Sequence, residues 1–105
     1  LNSGEGMQFL KLSEILYLKA DGSYTHFFTT DKRKITVSKR ISEYEKLETM
    51  GTFLRIHRSQ IINYNHIKKI LKQDGGVVVM QNDEELSISA DKKQKLIELF
   101  ENNIL

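Results

Sequence analysis

Residues 53–70, FLRIHRSQIINYNHIKKI, limit what this chain can fold into more than any other stretch. Leu54 and Ile56 alternate with Arg55 and His57, the two-residue period of a strand with one face buried. The alternation stops at Arg58-Ser59, and Ile61, Ile62, Ile67 and Ile70 then supply core material again. The pattern predicts a short cationic turn mounted between two buried strands. Such a turn is a good place to hold an anion.

Short strands and tight turns account for most of the remaining chain. Residues 1–6 are polar and carry two glycines, so they read as a flexible linker remnant ahead of a domain spanning residues 7–105. Residues 7–12 alternate weakly and predict a first strand. In 14–20 (EILYLKA) the apolar run is too brief for a helix and predicts a second. Asp21-Gly22-Ser23 reads as a turn, and Tyr24, Thr25, Phe27, Phe28 and Thr29 favour a pleated surface after it. Beyond Asp31-Lys32-Arg33, Ile35 and Val37 alternate with Lys34, Thr36 and Ser38, completing a hairpin with donors on one face.

The period changes at Ile41, Tyr44 and Leu47, which recur three apart. Ser42 and Glu45 make a capping-box pattern and Gly51 follows as a stop, so residues 41–50 predict a helix of about two to three turns. Strands are then expected at 67–73, at Val77-Val78-Val79-Met80 and around Leu86 and Ile88, with a hairpin turn at Asp74-Gly75-Gly76. A helix follows from Asp91, capped by Ser89 or Asp91, with Leu96, Leu99 and Phe100 on one side. The expected fold is mainly β: about seven strands in stacked antiparallel sheets, with one short internal helix and a C-terminal helix.

At 105 residues, 39% hydrophobic and 29% charged, the chain is one globular domain by size and composition. No window approaches the roughly 18 apolar residues that span a bilayer, so no membrane partner is expected. Cysteine is absent, which removes disulfides, thiolate nucleophiles and thiolate metal sites and is compatible with the cytoplasm. The net charge of +2 conceals an asymmetry, because residues 32–72 hold eleven basic residues against three acidic ones. A basic middle suggests a local surface for an anionic partner. The plainer alternative is that these charges alternate in space.

Catalysis has little support. His26, His57 and His66 lack the spacing of a zinc-binding helix, and no carboxylate neighbours His57 or His66. His57-Arg58-Ser59 contains residue types found in hydrolases, but adjacent residues of an extended chain point to opposite faces. Gly75-Gly76 lacks the sequel of a phosphate-binding loop. No enzyme activity and no cofactor or metal are expected. Duplex DNA fits better, since lysines, arginines and hydroxyls on loops and strand ends suit phosphates. No helix-turn-helix is present, because the internal helix carries Glu43, Glu45 and Glu48 against only Lys46.

The residues in these positions resemble a known family. FLRIHRSQIINYNHI is similar to the hallmark F-x-R-x-H-x-S-x-x-(V/I)-N-x-x-x-I of LytTR-type DNA-binding domains, and EILYLKADGSY, ISEYEKLE and ELSIS resemble its other segments. The resemblance covers roughly residues 7–100 in several separate motifs. It implies a LytTR-like β sandwich that binds repeated sites in double-stranded promoter DNA through loops. It also implies the output half of a bacterial response regulator, behind an N-terminal receiver domain served by a cognate histidine kinase.

By position, the resemblance makes Tyr24 a base-reading residue and puts Arg58 at the minor groove with Ser59 on phosphate. Lys34, Thr36, Ser38 and Arg40 match positions that contact the DNA backbone. The family's arginine after the last strand is missing, since the chain reads Ser89-Ala90-Asp91-Lys92-Lys93. Lys92 or Lys93 would replace it on phosphate, although lysine is no bidentate guanine reader. Other roles stay open. Tyr24 would also cover a sheet edge, Arg55 and His57 would orient their neighbours, and Asn63 would bond the turn backbone. Lys68, Lys69 and Lys72 would also suit a solvated strand face. The alternative function is a β-rich protein–protein or dimerisation module pairing through strand edges.

Overall fold

The computed structural model describes residues 1–4, 6–71 and 76–103. They fall into two compact units, Leu1–His66 and Ile67–Leu105. The first unit opens with β1 (Asn2–Ser3) and β2 (Gly6–Met7), which pair antiparallel, and a 3-10 turn at Leu12–Glu14. It continues with β3 (Ile15–Asp21), β4 (Tyr24–Thr29), β5 (Lys34–Val37), a 3-10 turn at Ile41–Tyr44 and α1 (Leu47–Met50). β6 (Phe53–His57), β7 (Gln60–Asn63) and a 3-10 turn at Tyr64–His66 complete it. β3 to β7 form a five-stranded antiparallel sheet in the order β5-β4-β3-β7-β6.

Register organises this sheet into rows that cross all five strands. Arg55, Ile61, Leu18, Phe27 and Ile35 lie opposite one another in one row. The four apolar members are buried and join Ile15, Val37, Ile41, Leu47 and Phe53 in one core cluster. Each such side chain contributes about 1.5–3 kcal/mol on leaving water. The rows on either side project from the opposite face. One is Leu54, Ile62, Tyr17, Phe28 and Lys34, with the Tyr17 and Phe28 rings stacked at 4.7 Å. The other is wholly polar: His57, Gln60, Lys19, His26 and Thr36. It lies beside the turns that join β3 to β4 and β6 to β7.

Three local expectations change. Of residues 7–12 only Met7 is in a strand, because a short ladder with Asn2 and a 3-10 turn take up the segment. The expected helix over 41–50 is two pieces, the 3-10 turn and α1. A repeat of three is the 3-10 period, so Ile41, Tyr44 and Leu47 stay on one side, with Tyr44 edge-on to Phe27 at 4.9 Å. The Ser42–Glu45 capping box does not form: the 3-10 turn begins after Arg40 without a side-chain cap, and Glu45 pairs with Arg55 instead. An arginine in reach is a stronger partner for a carboxylate than one backbone N–H.

The second unit contains β8 (Ile67–Leu71), β9 (Val77–Met80) and β10 (Glu85–Ser87) in a sheet of order β10-β9-β8, followed by α2 (Ala90–Asn103). Ser89 is the helix cap, its Oγ accepting the Lys92 N–H at 3.3 Å. Of the expected hairpin turn, Asp74 and Gly75 lie outside the described residues, as does Lys72. Gly76 has φ +137°, and any Cβ there would meet the Lys93 side chain at 2.9 Å. Lys68 is exposed and reaches Asp83 at 2.6 Å, which holds the Asp83 carboxyl below the ordinary range.

Asn63 is the polar anchor of the first unit. Its amide is 2% exposed and donates to the Ile15 carbonyl at 3.0 Å and the Leu12 carbonyl at 3.4 Å. Its Oδ1 accepts the Thr52 hydroxyl at 2.5 Å and the Asn65 N–H at 3.2 Å. It therefore serves the sheet end away from the Arg58 turn, and not the turn backbone that an asparagine in this pattern suggests. Asn63→Leu leaves these buried groups without partners, and each orphan costs about 1–3 kcal/mol. The expected loss of stability is about 2–4 kcal/mol. A fall in the urea midpoint at unchanged slope checks it.

Candidate nucleic-acid interface

The β6–β7 turn is fastened by its own neighbours. A bulge between Arg55 and His57 takes up the buried Ile56 and re-aims the chain just before the turn. Arg55 then works as a clamp: its Nε donates to the His57 carbonyl at 3.3 Å, and its two terminal nitrogens donate to the Arg58 carbonyl and to Glu45. On the other side the Ser59 N–H donates to His57 Nδ1 at 3.2 Å, and Ser59 Oγ lies 2.8 Å from the same nitrogen. The Ser59 carbonyl accepts the Ala20 N–H at 2.8 Å, which ties the turn to β3. Every backbone tie leaves the Arg58 side chain out of it, and that side chain is exposed.

A backbone N–H can only donate, so His57 Nδ1 must carry a lone pair and the ring proton sits on Nε2. His57 therefore holds the turn as a neutral imidazole. Ser59, expected on phosphate, spends its hydroxyl on that ring.

The neighbouring hairpin ends at the same edge. Gly22 at φ +59° supplies the first corner of a two-residue turn, and Asp21 and Tyr24 close it. Tyr24 is 50% exposed at the start of β4. Thr25 lies opposite Val37, and its hydroxyl donates to the Lys39 carbonyl at 2.7 Å, fixing the exit of β5. Ser38, Lys39 and Arg40 follow, all exposed. Tyr24, Ser38, Arg40, Arg58 and Ser59 thus leave one end of one sheet. Thr36 and Lys34 lie on the face opposite the main cluster, with Lys34 Nζ 6.0 Å from the Phe28 ring centre. Lys92 and Lys93 are half-buried in the first turn of α2, in the second unit.

The four arginines divide cleanly. Arg33 pairs with Asp31 at 2.7 Å and Glu14 at 3.5 Å, and Arg55 pairs with Glu45. The Thr29 hydroxyl, together with Arg33, holds the Asp31 carboxyl below the usual carboxylate range. Among the described residues no acid pairs with Arg40 or Arg58. Arg55 orients its neighbours and adds Glu45, a partner the sequence does not name, and His26, set aside as a metal or acid–base group, touches both Asp21 and Thr36. The two-residue strand period and the hairpin turn were the signals that set His26 beside Thr36.

A cleft of about 300 Å³ lined by Leu12, Met50, Phe53 and His66 lies at the far end of the sheet. Its His66 Nε2 is already bound to the Ser13 carbonyl at 2.7 Å. No described helix is long and apolar enough to cross a membrane.

If Arg55 is the clamp, Arg55→Lys keeps the charge and loses the forked donation. Amide exchange at Arg58 and Ser59 should then rise by about tenfold, while the β3 and β4 amides keep their protection. Residue-resolved hydrogen exchange measures both.

Known proteins share this fold. Residues 5–101 match the family model of the LytTr DNA-binding domain. The structure is similar to the LytTr DNA-binding domain of a methyl-accepting/DNA response regulator from Bacillus cereus, with TM-score 0.78 and 29% identity over 92% of this chain and 93% of that one. A CO-responsive transcriptional regulator, RcoM, of Rhodospirillum rubrum is 32% identical over 81 residues, 76% of this chain and 34% of the relative. A heme-containing CO-sensing regulator, RcoM 1 of Paraburkholderia xenovorans, is 28% identical over 87% of this chain and 35% of its own length. The chain spans about a third of these curated relatives. With the match running from residue 5 to residue 101, the chain belongs to the LytTr DNA-binding domain family.

Proposed function

We propose that this domain binds a specific double-stranded promoter sequence as the output domain of a bacterial two-component response regulator, with no catalytic step. DNA binding in transcription regulation comes with the family. The target preference and the regulatory context are the further reading. The observation that carries it is the set of exposed side chains at one end of the five-stranded sheet. Arg40 and Arg58 have no acidic partner among the described residues, and Arg58 stands on a turn whose backbone is fixed.

In this reading Arg58 enters the minor groove, where a guanidinium gains from the strong negative potential. Tyr24 reads base edges from the β3–β4 hairpin. Lys34, Thr36, Ser38 and Arg40 contact phosphates, and Ser59 does so by turning its hydroxyl from His57 to a phosphate oxygen. Lys92 or Lys93 supplies a third contact at the start of α2, as a point charge that adds affinity without choosing a base. Because phosphate contacts displace counterions, the affinity falls with salt by about 0.9 log unit per contact per log unit of salt.

Residues 7–105 form the DNA-binding body in this reading, and 1–6 connect it to a receiver domain phosphorylated by a histidine kinase in the cytoplasm. The Bacillus cereus neighbour, described as part of a response regulator, favours that input. The RcoM relatives, described as CO-responsive, favour a second reading in which a sensor on the same chain supplies the signal directly.

Arg58→Ala should weaken binding to a duplex selected from a random pool by about tenfold or more and lower the salt slope by about 1. Its thermal unfolding should match the parent. Fluorescence anisotropy across a salt series measures both, and an unchanged affinity at every salt concentration would sink the assignment. A protein–protein module would instead show little salt-sensitive affinity for any duplex.

A further inference from the structure

In the polar row of the sheet, His26 sits between two groups that dictate its protons. Its Nε2 is 3.1 Å from Asp21 Oδ2, and its Nδ1 is 2.7 Å from Thr36 Oγ1. A carboxylate only accepts, so the neutral ring must carry its hydrogen on Nε2. Nδ1 is then a bare acceptor, and the Thr36 hydroxyl must give it its single proton. In that state Thr36 has no hydrogen left for a phosphate oxygen. Protonating His26 reverses the second bond: Nδ1–H donates to Thr36 Oγ1, and the hydroxyl proton is released.

We infer that His26 is a positioning residue that turns the Thr36 hydroxyl from acceptor to donor when it takes up a proton, making DNA affinity rise as pH falls. The inference rests on the reading of Thr36 as a phosphate contact. The sheet around His26 is suited to the change. Asp21, from β3, faces Nε2 and compensates the imidazolium. Lys19 of β3 lies directly opposite, its Nζ 5.8 Å from the Tyr17 ring centre and 5.9 Å from that of Phe28, and it opposes the new charge. Lys34 stands one position diagonal on β5, also cationic, and Tyr24 precedes His26 on the same face. Phosphates on this face would neutralise the lysines, so bound duplex favours the protonated ring. The His26 side chain is 16% exposed, enough to exchange protons with solvent.

The test compares the chain with His26→Gln and Thr36→Val by anisotropy on one selected duplex from about pH 8 to pH 5.5, the span over which imidazoles ordinarily titrate. The parent should tighten by about three- to tenfold more than either variant. His57 and His66 are present in all three proteins, so the ratio of parent to variant isolates His26. Parallel pH profiles would overturn the inference while leaving DNA binding intact. No duplex binding by any of the three would remove the functional reading and the inference with it. Nitrogen NMR of the free protein gives an independent arm: a neutral His26 protonated on Nε2 supports the switch, and one protonated on Nδ1 refutes it.

Discussion

The register of the five-stranded sheet is the constraint on which the rest depends. With a side-chain period of two, a slip of β4 by one residue against β3 would send Phe27 to the opposite face of the sheet. It would also bring Phe28 into the space of the main cluster. The apolar row Ile61, Leu18, Phe27, Ile35 therefore fixes every neighbouring strand at once. The same fixation puts the polar row from His57 to Thr36 on the other face, beside the two turns. The site is thus a by-product of core packing. No hydrogen bond at the turns has to choose the alignment, because the buried row has already chosen it.

Given that frame, the charges divide by use. A surface that binds an anion needs cations that are not satisfied in the free protein, and a stable fold wants its guanidiniums satisfied. Arg33 and Arg55 go to the second purpose, the former stapling the β4–β5 turn and the latter holding the β6–β7 turn. Arg40 and Arg58 are left for the first. Arg55 has an effect larger than its own ion pair. By taking the carbonyls of His57 and Arg58 it fixes the direction in which Arg58 leaves the chain, so less conformational entropy is lost when a partner binds.

Much of this was legible in the residues. Alternation and turn composition place β3 to β7, and the break at Arg58-Ser59 marks the turn. Less could be read where two partners compete for one group. Ser42 and Glu45 have the spacing of a capping box, yet Glu45 is within reach of an arginine ten residues on, and a spacing rule has no view of that arginine. Asn63 has the composition of a bend residue, but its partners Leu12 and Ile15 are about fifty positions away along the chain. His26 looked like an isolated histidine because Asp21 and Thr36 meet it only after the hairpin closes. In each case the sequence names the donor, and the fold chooses the acceptor.

The two ends of the sheet show why stability and function can be tuned separately. At one end Asn63 spends all its hydrogen-bonding capacity in a buried position, where losing a partner is costly. At the other, the ties lie where solvent reaches them, so each bond is worth less and water can replace it. Changes at the turn end therefore alter how Arg58, Ser59 and Thr36 present themselves without drawing on the core that sets the register. On the inference drawn for His26, a proton on that ring frees the Thr36 hydroxyl and leaves the buried row where it is, so the hydrogen-bonded surface would change while the fold beneath it stays as it is.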